Sequence, residues 1–380
     1  MKRISLLMVV CLLLTSCAPK NTPQSGILTI NLTGNLSREK EFFLSDIATD
    51  IEYVKLDNRI EATIQQVDQY SVSDEYLLIY DRMLEKALLF DRKGNFLRQI
   101  GRKGKGPGEY TQIQDISMDA AGKYIYLTHK KQIDTFSTDG TLVKTTPLPS
   151  WALFVEPFGD DFLAIFPSYY STLMENYTFA FFGQDGAMKE RLLKRDWSFL
   201  KRGDPIKMAR LYYMDQMVCY NEAYYDTVYA VTPDRKVVPR IAFIKPTGSG
   251  DPMTFSGYNL SGWREFPTCI MIGGSLNRRL HQLVYERKSG ELWHIANDTV
   301  SNSWGITNDL NGGPRFWGGL TWKDRVYSLE YAFRIKDTWD RMSGKPFTAK
   351  LPARRSDLEK LVAGITDDDG QVLTIVTLKK

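Results

Sequence analysis

Ala87-Leu-Leu-Phe-Asp-Arg-Lys-Gly94-Asn-Phe-Leu97 is the stretch on which the reading of this chain turns. An apolar run with an aromatic residue leads into a short polar turn closed by Gly, and a second strand-like run follows. A tight hairpin of this kind needs positive φ at the Gly position, which residues with a Cβ adopt poorly. The pattern returns at Ile133-Asp-Thr-Phe-Ser-Thr-Asp-Gly140-Thr-Leu-Val143 and at Phe179-Ala-Phe-Phe-Gly-Gln-Asp-Gly186-Ala-Met188. The three glycines are evenly spaced (140 − 94 and 186 − 140 are both 46). Looser copies follow at Asp226 to Val238, Tyr285 to His294 and Asp367 to Leu373. A period in the forties suits one four-stranded propeller blade and is too long for a leucine-rich repeat. One such sheet cannot bury both of its faces alone, and packing blades around an axis solves that. The 20 Tyr, 19 Phe and 28 Gly residues fit many short strands punctuated by turns. The expected fold class is all-β: a six-bladed β-propeller of four-stranded antiparallel blades.

Between the first two hairpins lies Gly101-Arg-Lys-Gly104-Lys-Gly106-Pro107-Gly108-Glu109-Tyr110, then the strand-like runs Ile113 to Asp119 and Lys123 to Thr128. Here the chain resembles NHL-type propeller repeats, and more closely the six-bladed propeller lipoproteins of Gram-negative bacteria. In those, such a Gly-rich stretch links the outer strand of one blade to the inner strand of the next. The end matches as well: Leu358 to Val362 reads as helical, followed by Ile365-Thr-Asp-Asp-Asp369 and the strand Val372 to Leu378. Gly370-Gln371 stands where family members commonly carry Asn-Pro, which implies a different terminal turn. The repeats place the blades at roughly 62–101, 110–148, 151–195, 205–245, 265–310 and 314–380. Ile51-Glu-Tyr-Val-Lys-Leu56 is expected to supply the outer strand of the sixth blade, closing the ring and removing exposed edges. Pro167 to Asn176, Pro246 to Phe266 and Ile335 to Ser356 read as irregular insertions, the last contributing short helices.

The first residues carry an address. Lys2 and Arg3 precede an apolar run, Ile4 to Leu14, that is too short to span a bilayer and reads as a signal peptide. Leu14-Thr15-Ser16-Cys17 resembles a bacterial lipobox, which implies cleavage before Cys17 and acylation of that residue. Several acyl chains at about 0.8 kcal/mol per buried CH₂ make a durable anchor. The expected division is therefore signal peptide 1–16, lipidated Cys17 with a flexible tether to residue 40, and propeller from 41 to 380. Lipoprotein sorting adds an expectation. No Asp follows Cys17 in Ala18-Pro19-Lys20-Asn21, which implies the outer membrane, and the lack of an acidic cluster favours its periplasmic side.

Basic and acidic residues nearly balance, 49 against 45, and Lys2 and Arg3 leave with the signal. That balance gives no electrostatic reason for a nucleic-acid partner. Outside the signal and Cys17, the cysteines are Cys219 and Cys269. An oxidising compartment permits a disulfide between them, and their apolar strand-like settings suit buried free thiols equally well.

No motif nominates a catalytic residue. The Gly-rich loop lacks the Gly-Lys-Ser/Thr that opens a phosphate-binding helix, so it reads as a connector. Asp367-Asp368-Asp369-Gly370 and Ser137-Thr-Asp139-Gly140 lack the alternating acids and distal Glu of an EF-hand, and read as turns. His129, His281 and His294 show no zinc-ligand spacing. Some six-bladed propellers hold calcium in the channel and act as lactonase-like hydrolases; Glu109, Glu156, Asn221, Glu222 and Asn308 are the candidates to approach the axis here. The leading expectation is a non-catalytic scaffold that binds a glycan, a peptide or an envelope protein, with the metal-assisted hydrolase as the alternative. Aromatic clusters in non-repeating segments supply the contact candidates, Tyr169 and Tyr170 together with Arg315, Phe316 and Trp317. Trp317 stands out because its surroundings, Asn311-Gly-Gly-Pro-Arg-Phe-Trp-Gly-Gly319, are too Gly-rich for ordinary core.

Overall fold

A computed structural model describes residues 26–33, 38–166, 174–195, 209–222, 226–245, 258–276, 279–296, 304–342, 344 and 346–379. Residues 1–16, expected from the sequence to be a signal peptide, and Cys17, Tyr169 and Tyr170 lie outside these residues. Within them the chain forms six small antiparallel sheets arranged as the blades of a propeller. The innermost strands are Val67–Val72, Asp115–Met118, Phe154–Phe158, Ala209–Met214, Tyr258–Glu265 and Leu320–Trp322, for blades one to six.

The repeated hairpin is the outer half of each blade, and its Gly does two jobs. Gly94, Gly140 and Gly186 have φ of +86°, +88° and +81°. The Asp91 carboxylate accepts the amides of Lys93 (2.8 Å) and Asn95 (2.9 Å), which sets the first turn. A Cβ on Gly94 would also lie 2.4 Å from the Lys55 carbonyl, and one on Gly186 2.5 Å from that of Pro147. Each carbonyl belongs to the outermost strand of the preceding blade. The turn therefore docks blade on blade. In blade four Arg235 takes this place at φ +64°, with the same amide-to-carbonyl closure onto Thr232 (2.8 Å). Its guanidinium reaches Asp161 of blade three at 2.7 Å. Phe90, Phe136 and Phe182 recur at the hairpin bulges and are buried.

One apolar cluster fills each of the six seams between neighbouring blades, including the seam of blade six with blade one, where Leu373 and Ile375 meet Leu77 and Leu88. Ring closure follows the expected route. Ala48–Lys55 pairs antiparallel with Gln371–Leu378, with Ile51 opposite Val376. The helices Ala332–Met342 and Pro352–Ala363 stand between the second and third strands of this blade, and Ala332, Ile335, Leu358 and Val362 pack against it.

Two expectations need correction, and one open alternative is decided. Part of the presumed tether is structural: Leu28–Asn31 adds a fifth, parallel strand to blade four, and Glu39–Lys40 does the same for blade five. Ile30 and Leu32 are fully buried there, so this segment belongs to the seam between blades four and five. Blade five begins earlier than expected, because Tyr258–Glu265, inside the presumed insertion, is its inner strand. Cys219 and Cys269 are free thiols rather than a disulfide. Each is buried in a different apolar seam, and burial pushes both thiols up to about 12.

Candidate ligand site in the central channel

The six inner strands enclose an open cavity of about 410 Å³ on the propeller axis. Each inner strand has one edge on the axis and two faces turned toward neighbouring blades, so consecutive residues serve different surroundings. Tyr212 and Tyr213 illustrate this. The Tyr212 hydroxyl donates to Glu265 of blade five (2.8 Å), and the Tyr213 hydroxyl donates to Glu156 of blade three.

Those two bonds end in different electrostatic settings. Glu265 is buried but well compensated: the Arg240 guanidinium donates to it at 2.8–3.1 Å, and Arg287 donates as well. Glu156 is also buried and, among the described residues, makes no ion pair. Its neighbour Asp115, again buried, accepts the Val155 amide at 2.7 Å. Desolvation pushes the Glu156 carboxyl up to about 7, against the lowering effect of the Tyr213 hydroxyl. Burial, and then the charge on Glu156, hold Asp115 well above the usual carboxylate range. This wall of the channel therefore holds its protons to a higher pH than free carboxyls do.

Blades four and five contribute the opposite sign. Arg210 and Arg264 both line the cavity. Arg264 Nη1 donates to the Trp263 carbonyl at 2.9 Å, while its buried Nε has no hydrogen-bond partner. Burial and the nearby Arg264 charge lower the Arg210 pKa, and burial lowers that of Arg264. Their stems rest on glycines. A Cβ at Gly262 would lie 3.0 Å from Arg210 Cζ and 3.2 Å from both its terminal nitrogens, so that guanidinium lies flat on the backbone. A Cβ at Gly318, where φ is +103°, would lie 2.9 Å from Arg264 Cγ.

The sequence profile of a family described as a domain of unknown function, DUF4934, matches residues 27–377. The chain belongs to that family. No curated protein matches it. Among solved structures, a Bacteroides fragilis protein described as exported matches this DUF4934 chain at 17% identity and a TM-score of 0.67, covering 93% of this chain and 100% of its own. That likeness supports the fold. A member of the DUF4221 family from Bacteroides vulgatus (11% identity, TM-score 0.46, covering 87% and 97%) and BamB from Moraxella catarrhalis (12%, 0.42, 87% and 98%) are more distant.

The residues singled out in this DUF4934 sequence do not gather at one place. Of the five calcium candidates, Glu156 alone lines the channel. Glu109 folds back onto its own Gly-rich connector, taking the amides of Lys105 (3.0 Å) and Gly106 (2.9 Å) and an ion pair from Arg102 (2.6 Å). Asn221 and Glu222 sit on the second strand of blade four, bonded to the Thr227 carbonyl (2.9 Å) and to Arg195 (3.2 Å). Asn308 is buried in the loop before blade six, bonded to Asn311 (2.9 Å). These five groups do not fit one ion, and no step through calcium follows from them.

Trp317 is half-buried, edge-on to Trp304 at 5.6 Å and pressed on Gly273, so it packs where an exposed contact was expected. Its glycine-rich setting has a steric cause: a Cβ on Gly305, at φ +110°, would lie 2.2 Å from the Phe316 carbonyl oxygen. Phe316 is core, and Arg315 Nε donates to the Gly305 carbonyl at 2.7 Å. Arg210, Arg264 and Asp115 went unnoticed in the sequence. The one available signal was polar residues in strands that otherwise read as apolar.

Proposed function

We propose that this chain is a lipid-anchored envelope protein that binds a ligand at the mouth of its central channel and catalyses no reaction. The observation that carries this reading is the preformed cavity of about 410 Å³, walled by strands from all six blades. Its size and its mix of apolar surface with a few convergent polar groups are those of a small-molecule site. The closed ring holds the lining residues in place without help from a ligand. The N-terminal address supports the anchor, with Cys17 acylated and the outer membrane, on its periplasmic side, as the site of attachment. Ten residues lie between Cys17 and Leu28, so the anchor lies no more than about 40 Å from the rim of blade four. The ligand class in this reading is a glycan, a peptide or a segment of an envelope protein.

Two measurements test it. Full-length chain expressed in a Gram-negative host should take up an alkyne-labelled fatty acid and sediment with membranes, and Cys17→Ala should do neither. The purified chain should show ligand-dependent thermal shifts in a screen of envelope glycans and peptides. Thr321→Trp, which fills the channel, should abolish them. A bound ligand indifferent to Thr321→Trp would move the site to another surface and defeat the proposal.

A further inference from the structure

We infer that Arg210 and Arg264 form a carboxylate-binding site, and that the channel takes a hydroxylated carboxylate of the uronic-acid class. The inference rests on the channel being the binding site and names what it holds.

Arginines are costly to desolvate without an anion, and the chain elsewhere supplies one. Arg240 pairs with Glu265 and Asp215, Arg235 with Asp161, and Arg354 with Asp50 and Glu52. In the channel Arg210 makes no hydrogen bond or ion pair among the described residues, and Arg264 bonds only a carbonyl of its own strand. The cavity has carboxylates, but they are committed elsewhere: Asp68 pairs with Arg82 at 3.6 Å, and Glu265 is held by Arg240 and Arg287. Asp115 and Glu156 are spoken for by an amide and a tyrosine hydroxyl.

The two guanidinium groups are placed, not stray. The Arg210 guanidinium and the Arg264 stem each lie on a glycine whose Cβ would press on them, and the Arg264 charge is close enough to disfavour that of Arg210. Like charges held together in a desolvated wall are stabilised by an anion between them, and the planar fork of Arg suits the two oxygens of a carboxylate. The remaining wall narrows the class. Asp68, and the charge that Asp115 and Glu156 acquire when they ionise, would oppose a ligand with several negative charges, whereas one carboxylate can stay at the arginine side. A body rich in hydroxyls then meets Asp115, Glu156, Ser71 and Thr321, with Trp322 also lining the cavity as an apolar surface.

The test uses full-length protein in detergent, with D-glucuronate and D-galacturonate as probes. D-glucose and D-galactose serve as neutral twins, and sodium sulfate as a bare anion. Calorimetry should show at least one uronate binding tenfold or more tighter than its neutral twin and than sulfate. Arg210→Met and Arg264→Met should each weaken it tenfold or more while keeping the wild-type circular dichroism and, without ligand, a melting temperature no lower than wild type. Gly262→Val, which pushes the Arg210 guanidinium off its seat, should weaken it too, covering the case in which an Arg variant fails to fold. Absence of binding by both uronates, equal binding of a uronate and its twin or sulfate, or indifference to the arginine and glycine variants would overturn the inference. If the uronates fail while another ligand is lost on Thr321→Trp, the channel remains the site and only the carboxylate assignment falls.

Discussion

Replacing Glu156 by Gln removes one of two carboxyls that the channel wall buries side by side, and the consequence can be worked through. The amide keeps an oxygen for the Tyr213 hydroxyl and has nearly the same shape, so packing is conserved. What changes is titration. Burial raises the Glu156 pKa from 4.5 to about 7, a difference worth about 3 kcal/mol between the protonated and ionised forms. A raised pKa means that the folded state holds its proton more tightly than the unfolded chain does. The resulting stability is complete below about pH 4.5 and is lost as the pH rises through about 7. Urea unfolding of wild type and Glu156→Gln, at constant ionic strength from pH 5 to 8.5, isolates this contribution. The variant should gain on wild type by about 2–3 kcal/mol across that interval. Asp115→Asn added to Glu156→Gln should remove the pair's remaining pH dependence, because burial and the Glu156 charge also raise the Asp115 pKa. A stability difference that stays flat with pH would refute the upward shift of the Glu156 carboxyl.

Other expectations concern the scaffold. Gly94→Ala should cost about 2 kcal/mol or more, since it combines a positive φ with a Cβ 2.4 Å from the Lys55 carbonyl. Gly290→Ala, at φ +72° with its nearest neighbour 3.8 Å away, should cost only about 1 kcal/mol; equal losses in urea unfolding would contradict the docking role of the turn. Removing residues 1–40 should destabilise the propeller by about 3–6 kcal/mol, because Ile30 and Leu32 are fully buried between blades four and five. Unchanged unfolding of the shortened chain would show that the added strands are dispensable. In a Cys17→Ala chain lacking residues 1–16, a thiol reagent should label Cys219 and Cys269 only after denaturation, and a reductant should leave the melting temperature unchanged. Rapid labelling of the native protein would contradict their burial.

The phase of the first three blades was legible because one physical requirement repeats. A left-handed turn favours glycine, the more so where it presses on the preceding blade as at Gly94 and Gly186, and it returns every 46 residues at Gly94, Gly140 and Gly186. The fourth blade obscures this with Arg235, whose strained turn is accompanied by an ion pair to Asp161. Blade five was misphased for a different reason. In Tyr258–Glu265 the charged residues Arg264 and Glu265 line the channel, and the strand lacks the apolar pattern by which a strand is recognised. The parallel strands at Leu28–Asn31 and Glu39–Lys40 were hidden because such short segments carry little periodicity of their own.

By itself the sequence determined the repeat length, the all-β class and the closure of the ring by the segment around Ile51. These are local matters: turn chemistry and hydrophobic runs. The channel was decided only by tertiary structure. Asp115, Glu156, Arg210 and Arg264 come from four different blades, spread over 150 residues of chain (from 115 to 264), and no local pattern links them. Only when the blades close around an axis do their inner edges meet. What a carboxyl or a guanidinium can do there depends on how much water that closure excludes.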